Sequence, residues 1–264
     1  MKAFVCHTIA SDLSGLALCD VEPPSPRSGE VRIKVEHASV NFPDLLMCQG
    51  LYQYKPQPPF IPGTNISGEI DALGENATRF QMGDRVVATS RLGGFAEHLV
   101  VAEDQVLRAP RALNSAQAAA YPTAYLTAYV SLVRRARLAP GETVLVHGAS
   151  GGVGLATVDL AKLLGANVIA TTGSQWKLEE LKAFGADHVL ASQKFAPAVK
   201  ALTDGKGADV IFDPVGGEVF DESTHCIAFD GRLLVVGFTS GRFATLKSNI
   251  ALIKGFSVVG VRAG

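Results

Sequence analysis

The stretch Thr143-Val144-Leu145-Val146-His147-Gly148-Ala149-Ser150-Gly151-Gly152-Val153-Gly154 decides the fold of the second half of this chain. A short apolar β run leads into a glycine-rich turn, and the turn opens the segment 155–164, whose apolar spacing is that of an amphipathic helix. Glycine is required where a chain turns sharply and where backbone must approach a pyrophosphate closely. The helix that follows offers unpaired N–H groups and the positive end of its dipole. Gly151, Gly152 and Gly154 fit those roles, while Ala149 stands where the strict fingerprint has its first glycine. A strand, glycine turn and helix in this order predict a dinucleotide-binding βαβ unit.

Downstream, β runs at 167–172, 188–191, 209–212, 232–237 and 257–261 are separated mostly by helical segments, which predicts a doubly wound parallel sheet. Upstream, up to about Pro110, short strands at 2–7, 31–35, 66–73, 84–88 and 96–101 are broken by Pro and Gly, the pattern of an antiparallel β domain. One helix starts there at Asn41-Phe42-Pro43-Asp44, with a proline and an acid early in its first turn. Asn114 and Gln117 read as the cap and capping-box partner of a further helix, disturbed at Pro122 and ending before Ala139-Pro140-Gly141. With 264 residues, two domains are expected, 1–122 and 123–264.

Composition narrows the function. Lysine plus arginine (24) nearly balance aspartate plus glutamate (25), so no excess of positive charge draws nucleic acid or anionic lipid. The apolar tract 118–133 is interrupted by Pro122 and by several Thr and Tyr, and reads as a buried helix instead of a membrane span. Cys6, Cys19, Cys48 and Cys226 form no Cys-x-x-Cys pair, and Met1-Lys2-Ala3-Phe4 leads straight into strand-like sequence; both point to a cytoplasmic protein.

The glycines also match the Gly-x-x-x-Gly-x-Gly of short-chain dehydrogenases, at Gly148, Gly152 and Gly154. Those enzymes need a Tyr-x-x-x-Lys after the glycines, and the last tyrosine here is Tyr129. That reading fails. At the end of the second strand, where NAD enzymes place an acid that binds the ribose 2′-hydroxyl, this chain has Thr171-Thr172-Gly173-Ser174. With no carboxylate to repel a 2′-phosphate, and Ser174 and Lys177 as donor and cation, NADPH is the expected cofactor.

These residues, with Val40-Asn41-Phe42-Pro43-Asp44, Pro59-Phe60-Ile61-Pro62-Gly63, Gly83-Asp84-Arg85-Val86, Gly93-Gly94-Phe95-Ala96-Glu97, Gly207-Ala208-Asp209-Val210 and Val235-Val236-Gly237-Phe238, make the chain resemble the zinc-free medium-chain dehydrogenases, specifically the zeta-crystallin-like NADPH:quinone oxidoreductases. The resemblance runs essentially end to end. It implies a GroES-like substrate domain over 1–122, a Rossmann domain over 123–264 and a reaction in the cleft between them. It places Asn41 and Thr127 near the nicotinamide, Ser150, Gly151, Gly152, Val153 and Gly154 at the pyrophosphate, and Gly173, Ser174 and Lys177 around the adenosine phosphate. Ser192 and Val236-Gly237-Phe238 complete the groove, although Ser192 departs from the Tyr or His often found there. Zinc-dependent relatives use a Cys and a Gly-His-Glu segment; the corresponding positions here are Asn41, Thr64 and Asn65, so no metal is expected. None of the six histidines shows ligand spacing.

Hydride transfer needs little acid–base machinery from the protein. Without zinc, conjugated acceptors are favoured, since they spread the incoming charge themselves. The expected reaction is therefore NADPH-dependent reduction of a quinone or an α,β-unsaturated carbonyl, with Asn41, Tyr52 and Thr64 as the catalytic groups that bind the developing oxyanion. Enoyl-thioester reduction is the alternative within this class, and a non-catalytic NADPH sensor or crystallin-like role the alternative outside it. The resemblance further implies helices and strands beyond the sixth strand, where this sequence reaches Val261-Arg262-Ala263-Gly264. On that reading the chain is truncated, its cleft incomplete and its stability reduced, and the sixth strand is an exposed edge through which homodimers form.

Overall fold

The computed structural model describes residues 1–263, without the side chain of Gln175. The chain divides into two compact units, Met1–Pro122 and Thr123–Gly264; Gly264, the last residue of the expected nucleotide-binding domain, lies outside the described residues.

In the first unit β1 (Lys2–Cys6) and β2 (Leu16–Asp20) form an antiparallel hairpin. β3 (Glu30–Ser39), β4 (Asn65–Leu73), β5 (Arg85–Thr89), β6 (His98–Ala102) and β7 (Val106–Arg108) form a five-stranded antiparallel sheet in the order β6-β3-β4-β5-β7. The alternation that marks 31–35 in the sequence is the alternation of its faces. Val31 and Ile33 are fully buried with Ile66, Ile70, Val86 and Val106, while Lys34 is exposed and Arg32 pairs with Asp71 at 2.9 Å. α1 (Phe42–Cys48) follows β3.

Two of these strands escape a reading by pattern. β2 leaves Leu18 59% exposed, so only its pairing with β1 makes it a strand. β7 is three residues long, too short for a period to register. The strand expected from 96 starts at His98, because Ala96 makes only an isolated bridge to Ala3.

α2 (Ser115–Tyr129) opens with the anticipated exchange: the Gln117 amide donates to Asn114 Oδ1 at 2.9 Å and the Asn114 amide to Gln117 Oε1 at 3.0 Å. Pro122 does not break it. The helix runs on to Tyr129 and widens into a π-helical stretch, Val130–Arg135. A proline inside a helix removes one donor and crowds the carbonyl one turn back, and the surrounding turns absorb that cost here.

The second unit alternates β8 (Thr143–Val146), α3 (Gly152–Leu163), β9 (Asn167–Thr172), α4 (Leu178–Ala183), β10 (His188–Ala191), α5 (Ala196–Leu202), β11 (Ala208–Asp213), α6 (Gly217–Cys226), β12 (Ile227–Val235), α7 (Ser248–Lys254) and β13 (Ser257–Gly260). The six strands are all parallel, in the order β10-β9-β8-β11-β12-β13, a doubly wound sheet. Successive residues of a strand point to opposite faces, and both faces are covered. Val144, Val146, Val168, Ala170, Val210 and Phe212 share one core with Leu132, Val158 and Ala161. Leu145, Ile169, Ile211 and Leu233 share the other with Phe195, Val199 and Phe220. Burial on both sides is why these strands read as unbroken apolar runs. Among the described residues no helix is long and apolar enough to cross a membrane.

Candidate functional site

The glycine turn follows β8 at the carboxyl edge of the parallel sheet, beside the point where strand order reverses between β8 and β11. That is where open α/β sheets bind ligands. Gly148 turns the chain at φ +57°. A Cβ on Gly154 would fall on the Gly148 carbonyl and 2.7 Å from Ala149 Cα, so only glycine lets α3 pack this close to the turn. A Cβ on Gly152 would meet nothing within 4 Å. Two glycines of one motif thus serve different ends, one packing the helix and one leaving open space at its first residue. The first amides of α3 have no partner within the helix, and they point out of its positive end.

The neighbouring turns are tied to this one. The Ser150 and Thr172 hydroxyls are 3.0 Å apart, and Thr172 Oγ1 accepts the Ser174 amide at 3.1 Å. The Ser192 amide donates to the Thr172 carbonyl at 3.1 Å, and Ser192 Oγ lies 3.5 Å from where a Gly173 Cβ would stand. The Val236 amide donates to the Asp213 carbonyl at 2.9 Å, and a Gly237 Cβ would come within 3.2 Å of the Pro214 carbonyl oxygen. The structure therefore gathers Ser150, Gly173, Ser174 and Ser192 at one edge, with Val236 and Gly237 on the same edge past β11. Phe238 packs edge-on against Phe243 at 4.9 Å. Thr127 lies on α2 with its hydroxyl donated to the Thr123 carbonyl at 2.7 Å, and Lys177 Nζ sits 4.8 Å from the centre of the Trp176 ring.

Two buried groups underpin this edge. Asp213, at the end of β11, is 1% exposed, and its Oδ1 accepts the Val215 and Gly216 amides at 2.8 and 2.9 Å. Burial pushes its carboxyl above the usual range, and those two amides oppose the rise. Sequence reasoning missed it; the signal was available in Asp213-Pro214-Val215-Gly216-Gly217, a side chain that can close a turn before two glycines. His147 is fully buried between the Thr171 hydroxyl (Nδ1, 2.8 Å) and the Ser223 hydroxyl (Nε2, 2.9 Å). Ser223 already donates to the Val219 carbonyl, which assigns the ring proton to Nε2. Burial pushes its pKa down to about 3, so the imidazole is a neutral brace between β9 and α6.

In the first unit Asn41 caps α1: its amide donates to Asp44 Oδ2 at 2.8 Å, and the Asp44 amide donates back to the Asn41 carbonyl at 3.0 Å. The Asn41 carboxamide Nδ2 donates to Ser39 Oγ at 3.0 Å and to Thr64 Oγ1 at 3.3 Å. Two of the expected catalytic residues, far apart in sequence, are thus in contact. Asp44 completes the group. It is 1% exposed, and burial raises its carboxyl pKa against the opposing Asn41 amide, Thr64 hydroxyl and Gly63 amide.

Tyr52 does not join this trio through any hydrogen bond; its ring packs with Leu92 on the cluster of Cys6, Met47, Cys48 and Phe60. Tyr54 lies under the Arg91 guanidinium, 5.5 Å from its ring centre. An apolar cavity of about 630 Å³ in this unit is lined by Asp44 but by neither Asn41 nor Thr64, so it does not carry the expected acceptor groups. Asn65 is fully buried and its Oδ1 accepts the Thr89 hydroxyl at 3.0 Å. Among the described residues no group of three or more His, Cys, Asp or Glu is placed to hold a metal ion.

A doubly wound sheet with this glycine turn, in one chain with an antiparallel β unit, defines the medium-chain class of dinucleotide-dependent oxidoreductases. Residues 27–111 match the alcohol dehydrogenase GroES-like domain family, and residues 152–264 the zinc-binding dehydrogenase family. Quinone oxidoreductase-like protein 2 of Mus musculus is 38% identical over 100% of this chain and 75% of its own length. Its homolog in Nematostella vectensis is 42% identical over 90% of this chain, which spans 66% of that relative's length. The quinone oxidoreductase of Thermus thermophilus, solved alone and with NADPH, superposes with a TM-score of 0.86 at 32% identity, covering 99% of this chain and 80% of that one. The chain belongs to the quinone oxidoreductase branch of the medium-chain dehydrogenase/reductase family.

Proposed function

We propose that this chain is an NADPH-dependent, metal-free reductase of quinones or α,β-unsaturated carbonyls. The observation that carries the cofactor reading is the end of β9, where Thr172-Gly173-Ser174 replaces the carboxylate that would bind a ribose 2′-hydroxyl, with Lys177 three residues on. The open space at Gly152 and the free first-turn amides of α3 fit a pyrophosphate. Bound NADPH supplies the hydride. Ser174 and Lys177 bind the 2′-phosphate, Ser150 and Ser192 line the groove, and the amides of Gly152 and Val153 hold the pyrophosphate.

On the acceptor side, Asn41 and Thr64 are the hydrogen-bonding pair for an oxygen on which negative charge develops; Tyr52, packed apart from them on the Cys6, Met47, Cys48 and Phe60 cluster, is proposed to meet the acceptor separately. Asp44 holds the Asn41 amide from behind. A carboxamide at 41, a hydroxyl at 64 and a carboxamide at 65 do not fit zinc, which takes thiolate, imidazole and carboxylate. An acceptor that delocalises the incoming charge suits such a site. The relatives named above support this reading with their quinone oxidoreductase names and, for the Thermus protein, its NADPH complex.

The proposal includes a cytoplasmic homodimer joined along β13. Among the described residues that strand is one edge of the sheet, and Phe229, Leu252 and Ile253 of the same unit are 76, 83 and 77% exposed. The deciding experiment is steady-state oxidation of NADPH and of NADH by the chain with quinones and enones side by side. NADPH is expected to be preferred by about 10-fold or more in kcat/KM, the scale of one charge-assisted contact; a preference for NADH sinks the assignment.

A further inference from the structure

Trp176 is the only tryptophan of the chain, and it is 71% exposed. It stands on a 3-10 turn, Gln175–Lys177, directly after Ser174. That turn is held to the cofactor edge by a short chain of hydrogen bonds. The Lys177 amide donates to the Ser174 carbonyl at 3.0 Å, the Ser174 amide to Thr172 Oγ1 at 3.1 Å, and Thr172 Oγ1 meets Ser150 of the glycine turn at 3.0 Å. The ring is already in use as a cation-binding face, with Lys177 Nζ 4.8 Å from its centre. Just after the next strand stands Ser192, a small hydroxyl side chain next to Gly173 that itself offers no ring for stacking.

We infer that Trp176 is the stacking platform for the adenine ring of the dinucleotide, and that Lys177, 4.8 Å from that ring, is paired with it as the residue that meets the ribose 2′-phosphate. This rests on the NADPH reading above and deepens it. An indole face left this exposed costs solvation that a planar heterocycle recovers by stacking, and every purine offers such a face. The lysine has the complementary problem. Its contact with an exposed ring is weak, and a dianionic phosphate is a stronger partner than a π face. Neighbouring residues thus offer the ring to the base and the cation to the group that distinguishes NADPH from NADH.

The test is calorimetric titration of the full chain with NADPH, NADH and ADP-ribose, comparing wild type with Trp176→Ala, Trp176→Phe and Lys177→Ala. Trp176→Ala is expected to weaken all three ligands by about 10-fold, the scale of losing one base–aromatic stack, and Trp176→Phe to restore most of it. Lys177→Ala is expected to weaken NADPH by about 10-fold and to leave NADH and ADP-ribose unchanged. Emission from the single tryptophan gives a second readout: ADP-ribose, which carries adenine and no nicotinamide, should quench it in the wild type. Unchanged affinities in Trp176→Ala, or emission that saturating ADP-ribose leaves alone, overturn the platform. Equal losses for NADPH and NADH in Lys177→Ala overturn the pairing. A wild type that binds no dinucleotide overturns the proposed function itself, whereas full NADPH binding by Trp176→Ala removes only this inference.

Discussion

Alanine at Gly152 and alanine at Gly154 should have opposite effects. At Gly154 the new methyl group lands on the Gly148 carbonyl and 2.7 Å from Ala149 Cα, both backbone atoms that cannot swing away. Relieving the overlap means shifting α3 off the turn, at a cost of about 1–3 kcal/mol for overpacking a close contact. At ~2–4 °C per kcal/mol for a chain of this size, the melting midpoint falls by several degrees. At Gly152 nothing lies within 4 Å of the new methyl. Residue 152 is the first of the helix, where replacing glycine removes backbone freedom from the unfolded chain and stabilises by up to ~0.5–1 kcal/mol. The methyl does occupy the space in which the pyrophosphate is proposed to sit. Each charge-assisted hydrogen bond it displaces is worth about 1.5–3 kcal/mol, so NADPH affinity should drop by roughly 10-fold or more. Thermal unfolding and NADPH titration of both variants check the pair. A Gly152→Ala variant that binds NADPH like wild type, or a Gly154→Ala variant that melts unchanged, refutes the division of labour between the two glycines.

Removing the acceptor-side groups, Asn41→Ala or Thr64→Val, should lower kcat with quinones by about 10²-fold, the scale of one oxyanion donor; an unchanged kcat in both variants would clear these residues of the role. His147 predicts an acid sensitivity. Its folded pKa of about 3 lies below the unfolded value, so the unfolded chain binds the extra proton and the stabilisation from the neutral ring, on the order of 5 kcal/mol, is lost as pH falls from about 6.5 towards 3. In urea titrations the stability gap between wild type and His147→Gln should narrow across that window; a constant gap contradicts it. Asp44→Asn keeps an acceptor for the Asn41 amide and should unfold within about 1 kcal/mol of wild type, while Asp44→Leu strips the α1 cap and should cost about 1–2 kcal/mol more. Sedimentation at micromolar concentration tests the proposed dimer, and a monomer there counts against the β13 edge.

Much of the second unit was legible because its signals are local. A strand buried on both faces reads as an apolar run, and β9 and β10 begin and end where the sequence says. The capping exchange at Asn114/Gln117 needs only residues three apart, and it is made. What stayed hidden is what depends on a distant partner. β2 has no pattern of its own and becomes a strand by pairing with β1. Pro122 signals a disturbance in α2, and only the packed helix shows that it runs on unbroken to Tyr129. Asp213 carries a local turn signal, but only the packed sheet shows that its carboxyl is buried.

By itself, the sequence determined the doubly wound sheet, the place of the glycine turn within it and the absence of an acid after β9, because each is written in neighbouring residues. Only the tertiary structure decided which glycine packs and which leaves room, that Asn41 meets Thr64 across 23 residues, that His147 is a neutral brace, and that Lys177 rests on Trp176. Those facts depend on which atoms approach through space and on how much water reaches them, and neither distance nor solvation is encoded in the order of residues along the chain.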